Sequence, residues 1–83
     1  MLDLIANLNR IHTTKLGEER IKRNLNLEID DIVNWCCLQI QDTNSKIFRQ
    51  GKNWYITVNN YRITVNAHSY TIITAHQIKK QSK

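Results

Sequence analysis

The segment that decides the fold is residues 54–65, which read Trp-Tyr-Ile-Thr-Val-Asn-Asn-Tyr-Arg-Ile-Thr-Val. Apolar and polar side chains alternate on both sides of the Asn59-Asn60 pair, and a period of two is typical of half-buried β-strands. Asparagine tolerates the left-handed backbone that a two-residue hairpin turn requires. The segment therefore predicts a β-hairpin. Its core face is expected to carry Trp54, Ile56, Val58, Ile63, Val65 and Ala67.

Two more strands flank this hairpin. Residues 46–49 form a short strand that reaches the hairpin through a turn at Gly51, and residues 70–76, rich in β-branched side chains, form the last strand. Alternation leaves the faces of the last strand ambiguous. Its solvent-facing side chains are either Tyr70, Ile72, Thr74 and His76, or Thr71, Ile73 and Ala75. We predict the first set because it is more polar.

Helical periodicity dominates the first half of the chain. Residues 2–11 predict a short amphipathic helix, and Thr14 is expected to cap a second helix that carries Leu16, Ile21 and Leu25. A third helix, from about Asp30 to Gln41, is the expected cover of the sheet.

These elements predict one α+β domain spanning residues 1–83. N-terminal helices, within about residues 2–41, are expected to pack on one face of a four-stranded antiparallel meander sheet at about residues 46–78. A polar basic tail follows at residues 79–83.

The composition narrows the functional classes. No stretch approaches the roughly 20 apolar residues that cross a bilayer, and residues 1–10 do not follow a signal-peptide pattern. A cytoplasmic protein without membrane contact is expected. The two cysteines, Cys36 and Cys37, are adjacent, which argues against a disulfide framework and a zinc site. We expect no metal and no cofactor.

Charge is distributed unevenly along the chain. Residues 1–42 hold seven acids and five bases, a net charge of −2, whereas residues 43–83 hold seven bases and no acid, a net charge of +7. A basic surface of this kind attracts polyanions such as RNA. The alternative is a solvated sheet face whose lysines maintain solubility and protect its edges.

The predicted nucleic-acid-binding residues combine this charge with one aromatic side chain and one amide. An exposed tyrosine on an open sheet can stack on an unpaired base. The set comprises Lys46, Arg49, Lys52, Tyr55, Arg62, Asn66, Lys79 and Lys80.

A second hypothesis adds catalysis on the last two strands. Metal-free RNA cleavage needs a base for the 2′-OH, an acid for the leaving oxygen and a cation for the phosphorane charge. His68 and His76 are the candidate acid and base, and Arg62 and Lys52 are the candidate phosphate ligands. The candidate hydrogen-bond donors are Tyr70, Thr74 and Asn66. The alternative is a polar sheet face without chemistry. His12 is expected to cap the first helix.

Three stretches carry a resemblance: residues 16–25, residues 51–55 (Gly-Lys-Asn-Trp-Tyr) and residues 63–76, which end in Thr-Ala-His. Over about residues 14–80 the chain resembles a family of small, uncharacterised bacterial proteins, a domain of unknown function. That family brings no established activity.

More distantly, the chain is similar to the barnase, colicin and RelE-type ribonucleases, in which helices precede a meander sheet. Thr74-Ala75-His76 and Arg20 match that scheme. The resemblance implies a metal-independent ribonuclease of toxin type. RNA or another polyanion is the expected partner, and a protein partner or an antitoxin is an open alternative. Because the sheet has no acidic side chain, histidine would act as the base.

Three hypotheses stay open at this point. The chain is an RNA-directed ribonuclease, a non-catalytic binder, or a subunit that pairs through its sheet edge in a dimer. The binder is either a nucleic-acid-binding module or an inhibitor from a phage or mobile element that docks on a protein partner. Whether the protein is an enzyme and how it oligomerises are left open.

Overall fold

The structure, a computed structural model, describes residues 3–26 and 28–78. Within these ranges, helices precede all the strands. The helices are α1 (Asp3–Ala6), a 3₁₀ helix (Leu8–Arg10), α2 (Lys15–Leu25) and α3 (Ile32–Gln41). The strands are β1 (Lys46–Gln50), β2 (Asn53–Val58), β3 (Tyr61–Asn66) and β4 (Ile72–Gln77).

The four strands form an antiparallel meander in which each strand pairs with the next along the chain. The α+β prediction is confirmed. The hairpin turn between β2 and β3 uses positive φ angles of 49° at Asn59 and 70° at Asn60. Asparagine tolerates this left-handed backbone better than most residues do, so the pair favours the tight turn.

Side-chain caps fix where α2 and α3 begin. The Thr14 hydroxyl accepts a hydrogen bond from the Gly17 amide at 3.0 Å, and Asp31 Oδ1 accepts one from the Asn34 amide at 3.0 Å. Each cap satisfies an amide that has no partner within its helix. The prediction that Thr14 caps the second helix is therefore confirmed.

The first predicted helix is interrupted. Asn7 leaves the helical region with φ −126° and ψ 32°, and the amides of Arg10 and Ile11 bond three residues back, to Asn7 and Leu8. Asparagine side chains compete with helical backbone hydrogen bonds, and the chain has asparagine at positions 7 and 9. The predicted single helix is therefore two short segments.

The core lies between the helices and one face of the sheet. α2 packs along β4 and α3 packs over β2, so α3 covers the sheet together with α2 rather than alone. Leu16, predicted to belong to the apolar stripe of α2, is 75% exposed. Side chains that are almost completely buried in the core include Ile21, Leu25, Ile32, Cys36, Ile40, Ile56, Ile63 and Ile72.

A β-bulge changes the faces of β4. Thr64 pairs with Thr74, but Val65 pairs with Ile72, so Ile73 is an additional residue on β4. One extra residue moves every side chain before it to the opposite face. Thr74 and His76 lie on the solvent-facing side, as predicted. The prediction that Ile72 joins them is wrong, because Ile72 is 1% exposed whereas Ile73 is 40% exposed.

The segment before α2 is joined to the outer edge of β4. His12 forms a parallel bridge with Thr71, in which the His12 amide donates to the Tyr70 carbonyl and the Ile72 amide donates to the His12 carbonyl. The His12 ring also donates from Nδ1 to the Arg10 carbonyl at 2.9 Å. This contact, to the last residue of the 3₁₀ helix, is of the capping kind predicted for His12.

Among residues 3–26 and 28–78, none of the helices combines the length and the apolar character that crossing a bilayer requires.

The bulge predicts that alanine substitutions of the adjacent residues Ile72 and Ile73 have different effects on the free energy of unfolding. Replacing Ile72 with alanine should lower the free energy of unfolding by about 2–5 kcal/mol, because it empties space in the core. Ile73→Ala removes the same atoms from an exposed position and should cost less than about 1 kcal/mol. Urea unfolding followed by tryptophan fluorescence measures both. Equal losses, or the reverse order, would contradict the bulged register.

Candidate nucleic-acid interface

The side of the sheet that is turned away from the helices is called the open face below. The cross-strand register determines which side chains lie on it. Directly opposed residues of antiparallel strands point to the same side, so partners form rows across the sheet. The three rows are Lys46–Thr57–Arg62–His76, Phe48–Tyr55–Thr64–Thr74 and Gln50–Asn53–Asn66.

The first of these, the basic row, brings together Lys46, Arg62 and His76. With strands about 4.8 Å apart, the row spans about 14 Å. Lys46 and Arg62 project from this row and His76 is half-buried. In the described part of the chain, the only ion pair joins Lys22 to Glu18, and residues 43–83 contain no acid. No described carboxylate therefore pairs with the basic row.

The second row, the aromatic row, carries two stacked rings. The ring centroids of Phe48 and Tyr55 are 5.5 Å apart and the ring planes differ by 28°. Phe48 is 48% exposed, because β1 is an edge strand of the sheet. The Tyr55 hydroxyl accepts a hydrogen bond from Asn53 Nδ2 at 3.3 Å. The predicted position of Tyr55 on this face is confirmed, and Phe48 joins it.

Arg49 and Lys52 lie away from the rows of the open face. Arg49 pairs with Trp54 on the helix side of the sheet, where its guanidinium lies 5.6 Å from the centroid of the indole. Its Nε donates to the Gly51 carbonyl at 3.0 Å. Lys52 is exposed in the turn between β1 and β2. Lys79 and Lys80 lie outside the described residues.

The two candidate catalytic histidines are not brought together. His76 pairs with Arg62, whereas His68 lies in the turn that follows Asn66. Asn66 follows Arg62 by four positions along the extended strand, which corresponds to roughly 13 Å. His68 and His76 are therefore at opposite ends of the two strands, and one phosphate would not reach both.

Tyr70 belongs to the core rather than to the open face. Its φ is 61°, a left-handed value that is uncommon for a residue with a bulky side chain. It is 6% exposed, its ring centroid lies 5.4 Å from that of Trp54, and the Arg10 guanidinium lies 4.6 Å above it. The prediction that Tyr70 shares the open face with Thr74 and His76 is wrong, because the bulge and this backbone turn it inward.

Asn66 stabilises the loop before β4. Its Oδ1 accepts hydrogen bonds from the amides of His68 and Ser69, both at 2.9 Å, and from the Ser69 hydroxyl at 3.2 Å. This is the local bonding by which asparagine stabilises turns. The side-chain oxygen is therefore engaged within the protein.

The sequence alone does not identify two contributors to the open face. One is Phe48, whose face cannot be assigned from the pattern because Ile47 and Phe48 are adjacent apolar residues in a short strand. The other is Asn24 of α2, whose Nδ2 donates to the Thr74 hydroxyl at 3.4 Å. Only the register of β1 and the position of α2 beside β4 reveal them.

The cysteines are poor nucleophiles in this environment. Burial, and secondarily the neighbouring Cys37, raises the pKa of Cys36 from an ordinary value of 9.0 to about 12. Burial, with a smaller effect of Asp31, also raises the pKa of Cys37. Both remain thiols at neutral pH, and the thiolate is the reactive form.

Residues 3–26 and 28–78 hold neither a metal-ligand cluster nor an enclosed binding site. No three His, Cys, Asp or Glu side chains there converge on a position that could hold a metal ion, and no cavity is present among them.

In a comparison with known protein families, residues 5–76 match the family described as protein of unknown function (DUF3781). The chain belongs to this family. No curated protein and no solved structure matches it closely enough to show a relationship. The resemblance to a domain of unknown function is confirmed, and the family description names no activity.

The role of Asn66 in stabilising the loop before β4 can be tested by substitution. Asn66→Ala removes the acceptor of two amides and should lower the free energy of unfolding by about 1 kcal/mol, since the amides are exposed and water partly replaces the lost bonds. Asn66→Asp keeps an acceptor oxygen and should stay close to the wild type. Urea unfolding measures both variants. A loss in Asn66→Asp as large as that in Asn66→Ala would contradict this role.

Proposed function

We propose that this protein binds single-stranded RNA through the open face of its sheet. The observation that carries the proposal is the position of the basic row directly beside the stacked pair Phe48 and Tyr55. Cations without a carboxylate partner attract the phosphate backbone. Exposed rings on a sheet stack on unpaired bases. Neither the basic row nor the stacked rings alone is specific for RNA. Together they match the phosphate and the base of a nucleotide.

The rows suggest which group contacts which part of the RNA. Phe48 is on an edge strand and is 48% exposed, so part of its ring is accessible to a base. Residues two apart on a strand are separated by about 7 Å, which lets the phosphate of that nucleotide approach the basic row. Arg62 can hold a phosphate through two parallel hydrogen bonds. Thr57, in the same row, offers a hydroxyl to the 2′-OH.

We propose binding rather than cleavage. Metal-free cleavage requires a base and an acid within hydrogen-bonding reach of one phosphate, and the separation of roughly 13 Å between the strand ends that carry His68 and His76 opposes this. His76 instead adds a ring N–H donor to the basic row beside Arg62. A cytoplasmic location and a protein partner, such as an antitoxin, remain predictions.

The proposal is tested with substitutions on the open face. Phe48→Ala should raise the Kd for a labelled oligouridylate of about 12 nucleotides by roughly 5- to 150-fold, the range expected for loss of one stacking ring. Arg62→Ala should also weaken binding and should reduce the salt dependence of log K by about 0.7, the value for one phosphate contact on a single strand. Fluorescence anisotropy over a series of salt concentrations measures both effects.

Arg49→Ala is the matched control. It removes the same charge as Arg62→Ala, but from the helix side of the sheet, and should bind the oligouridylate nearly as well as the wild type. If Arg49→Ala weakened binding as much as Arg62→Ala, the attraction would be nonspecific. If the wild type failed to bind at low salt, the proposal would be overturned.

Cleavage is tested separately. Total RNA incubated with the pure protein in EDTA should be recovered intact on a denaturing gel, because His68 and His76 do not meet at one phosphate. The variants His68→Ala and His76→Ala serve as controls. Discrete fragments produced by the wild type and lost in either variant would overturn the proposal of binding without cleavage.

A further inference from the structure

We propose that α2 supplies a second phosphate-contacting surface, formed by Arg20 with Arg23 beside it, which extends the RNA path from the open face across the edge of β4. This inference rests on the proposed function and specifies the length of the ligand. The RNA is a single strand that continues beyond the sheet.

The connection between α2 and the open face is a direct contact. α2 packs along β4, and Asn24 Nδ2 donates to the hydroxyl of Thr74, which lies on the aromatic row. At this point the helix surface and the sheet surface are continuous. A strand of RNA that crosses the rows toward β4 therefore meets α2 next.

Helical geometry determines which cations lie next to this contact. At about 100° per residue, Arg20 is about 40° from Asn24 around the helix and Arg23 is about 100° away. Lys15 and Lys22 are about 180° and 160° away, on the opposite side. Arg20 and Arg23 are exposed, and neither forms an ion pair with another described residue. Lys22, in contrast, is paired with Glu18 at 3.7 Å.

The position of Arg23 also has an explanation that does not involve RNA, because a cation there stabilises α2. Arg23 lies in the last turn of α2, where a cation stabilises the helix dipole. Glu19 lies one turn before Arg23 and lowers the local positive charge. The dipole effect does not apply to Arg20, which is in the middle of the helix and is the cation nearest to Asn24 in rotation around the helix axis. Arg20 is therefore the residue on which the inference chiefly depends.

The geometry also predicts how the effect depends on ligand length. A short oligomer is accommodated by the basic and aromatic rows, whereas a longer one must pass over β4 and reach Arg20. Single-strand-binding folds of similar size cover about 4–16 nucleotides. Loss of the α2 cations should therefore weaken binding of the long oligomer and leave binding of the short one unchanged.

The experiment compares labelled oligouridylates of about 4 and about 12 nucleotides by fluorescence anisotropy over a salt series. The double variant Arg20→Ala/Arg23→Ala should bind the longer oligomer about tenfold more weakly, with a salt slope reduced by about 1.4 for two lost contacts. The shorter oligomer should bind as it does to the wild type. Glu19→Gln, which removes the adjacent acid, should strengthen binding of the longer oligomer.

The control variant Lys15→Ala/Lys22→Ala removes the same charge from the opposite side of α2. If both double variants behaved alike toward the longer oligomer while the wild type bound both oligomers, the inference would be overturned and the proposed function would stand. If the wild type bound neither oligomer, the proposed function and this inference would both fail. Circular dichroism spectra unchanged from the wild type would show that the variants are folded.

Discussion

The single additional residue in β4 controls both sides of the sheet. Because Ile73 is bulged out of register, Ile72 turns into the core while Thr74 and His76 remain on the open face. A strand without the bulge would expose one buried isoleucine or bury a histidine beside Arg62. The positions of Ile72 in the core and of Thr74 on the open face are thus consequences of one irregularity.

Local signals in the sequence predict those parts of the fold that depend on neighbouring residues. The alternation in β2 and β3, the asparagine pair in their turn and the threonine that caps α2 are each determined within a few positions. The faces of β4 are not predictable in this way, because Ile72 and Ile73 are adjacent and either phase of alternation satisfies the pattern. Cross-strand register, which depends on distant residues, resolves the ambiguity.

The candidate site, like the fold, is predictable from the sequence only in part. The excess of basic residues in the second half of the chain is visible in the sequence, but its distribution over the two sides of the sheet is not. Arg49 and Arg62 contribute equally to the net charge, yet Arg49 lies over Trp54 on the helix side whereas Arg62 lies between Thr57 and His76 on the open face. Composition indicates attraction to a polyanion, and only register indicates where it acts.

The bridge between His12 and Thr71 has a consequence for the order in which the protein folds. Their side chains meet across a separation of 59 residues, and α2, which follows His12, packs along the same strand. Closing so long a loop costs more entropy than forming the hairpins of the meander. On a ribosome, the helices emerge before β4 has been synthesised. Until β4 is synthesised, α2 cannot pack against it, and the apolar side chains of Ile21 and Leu25 are not covered by that strand.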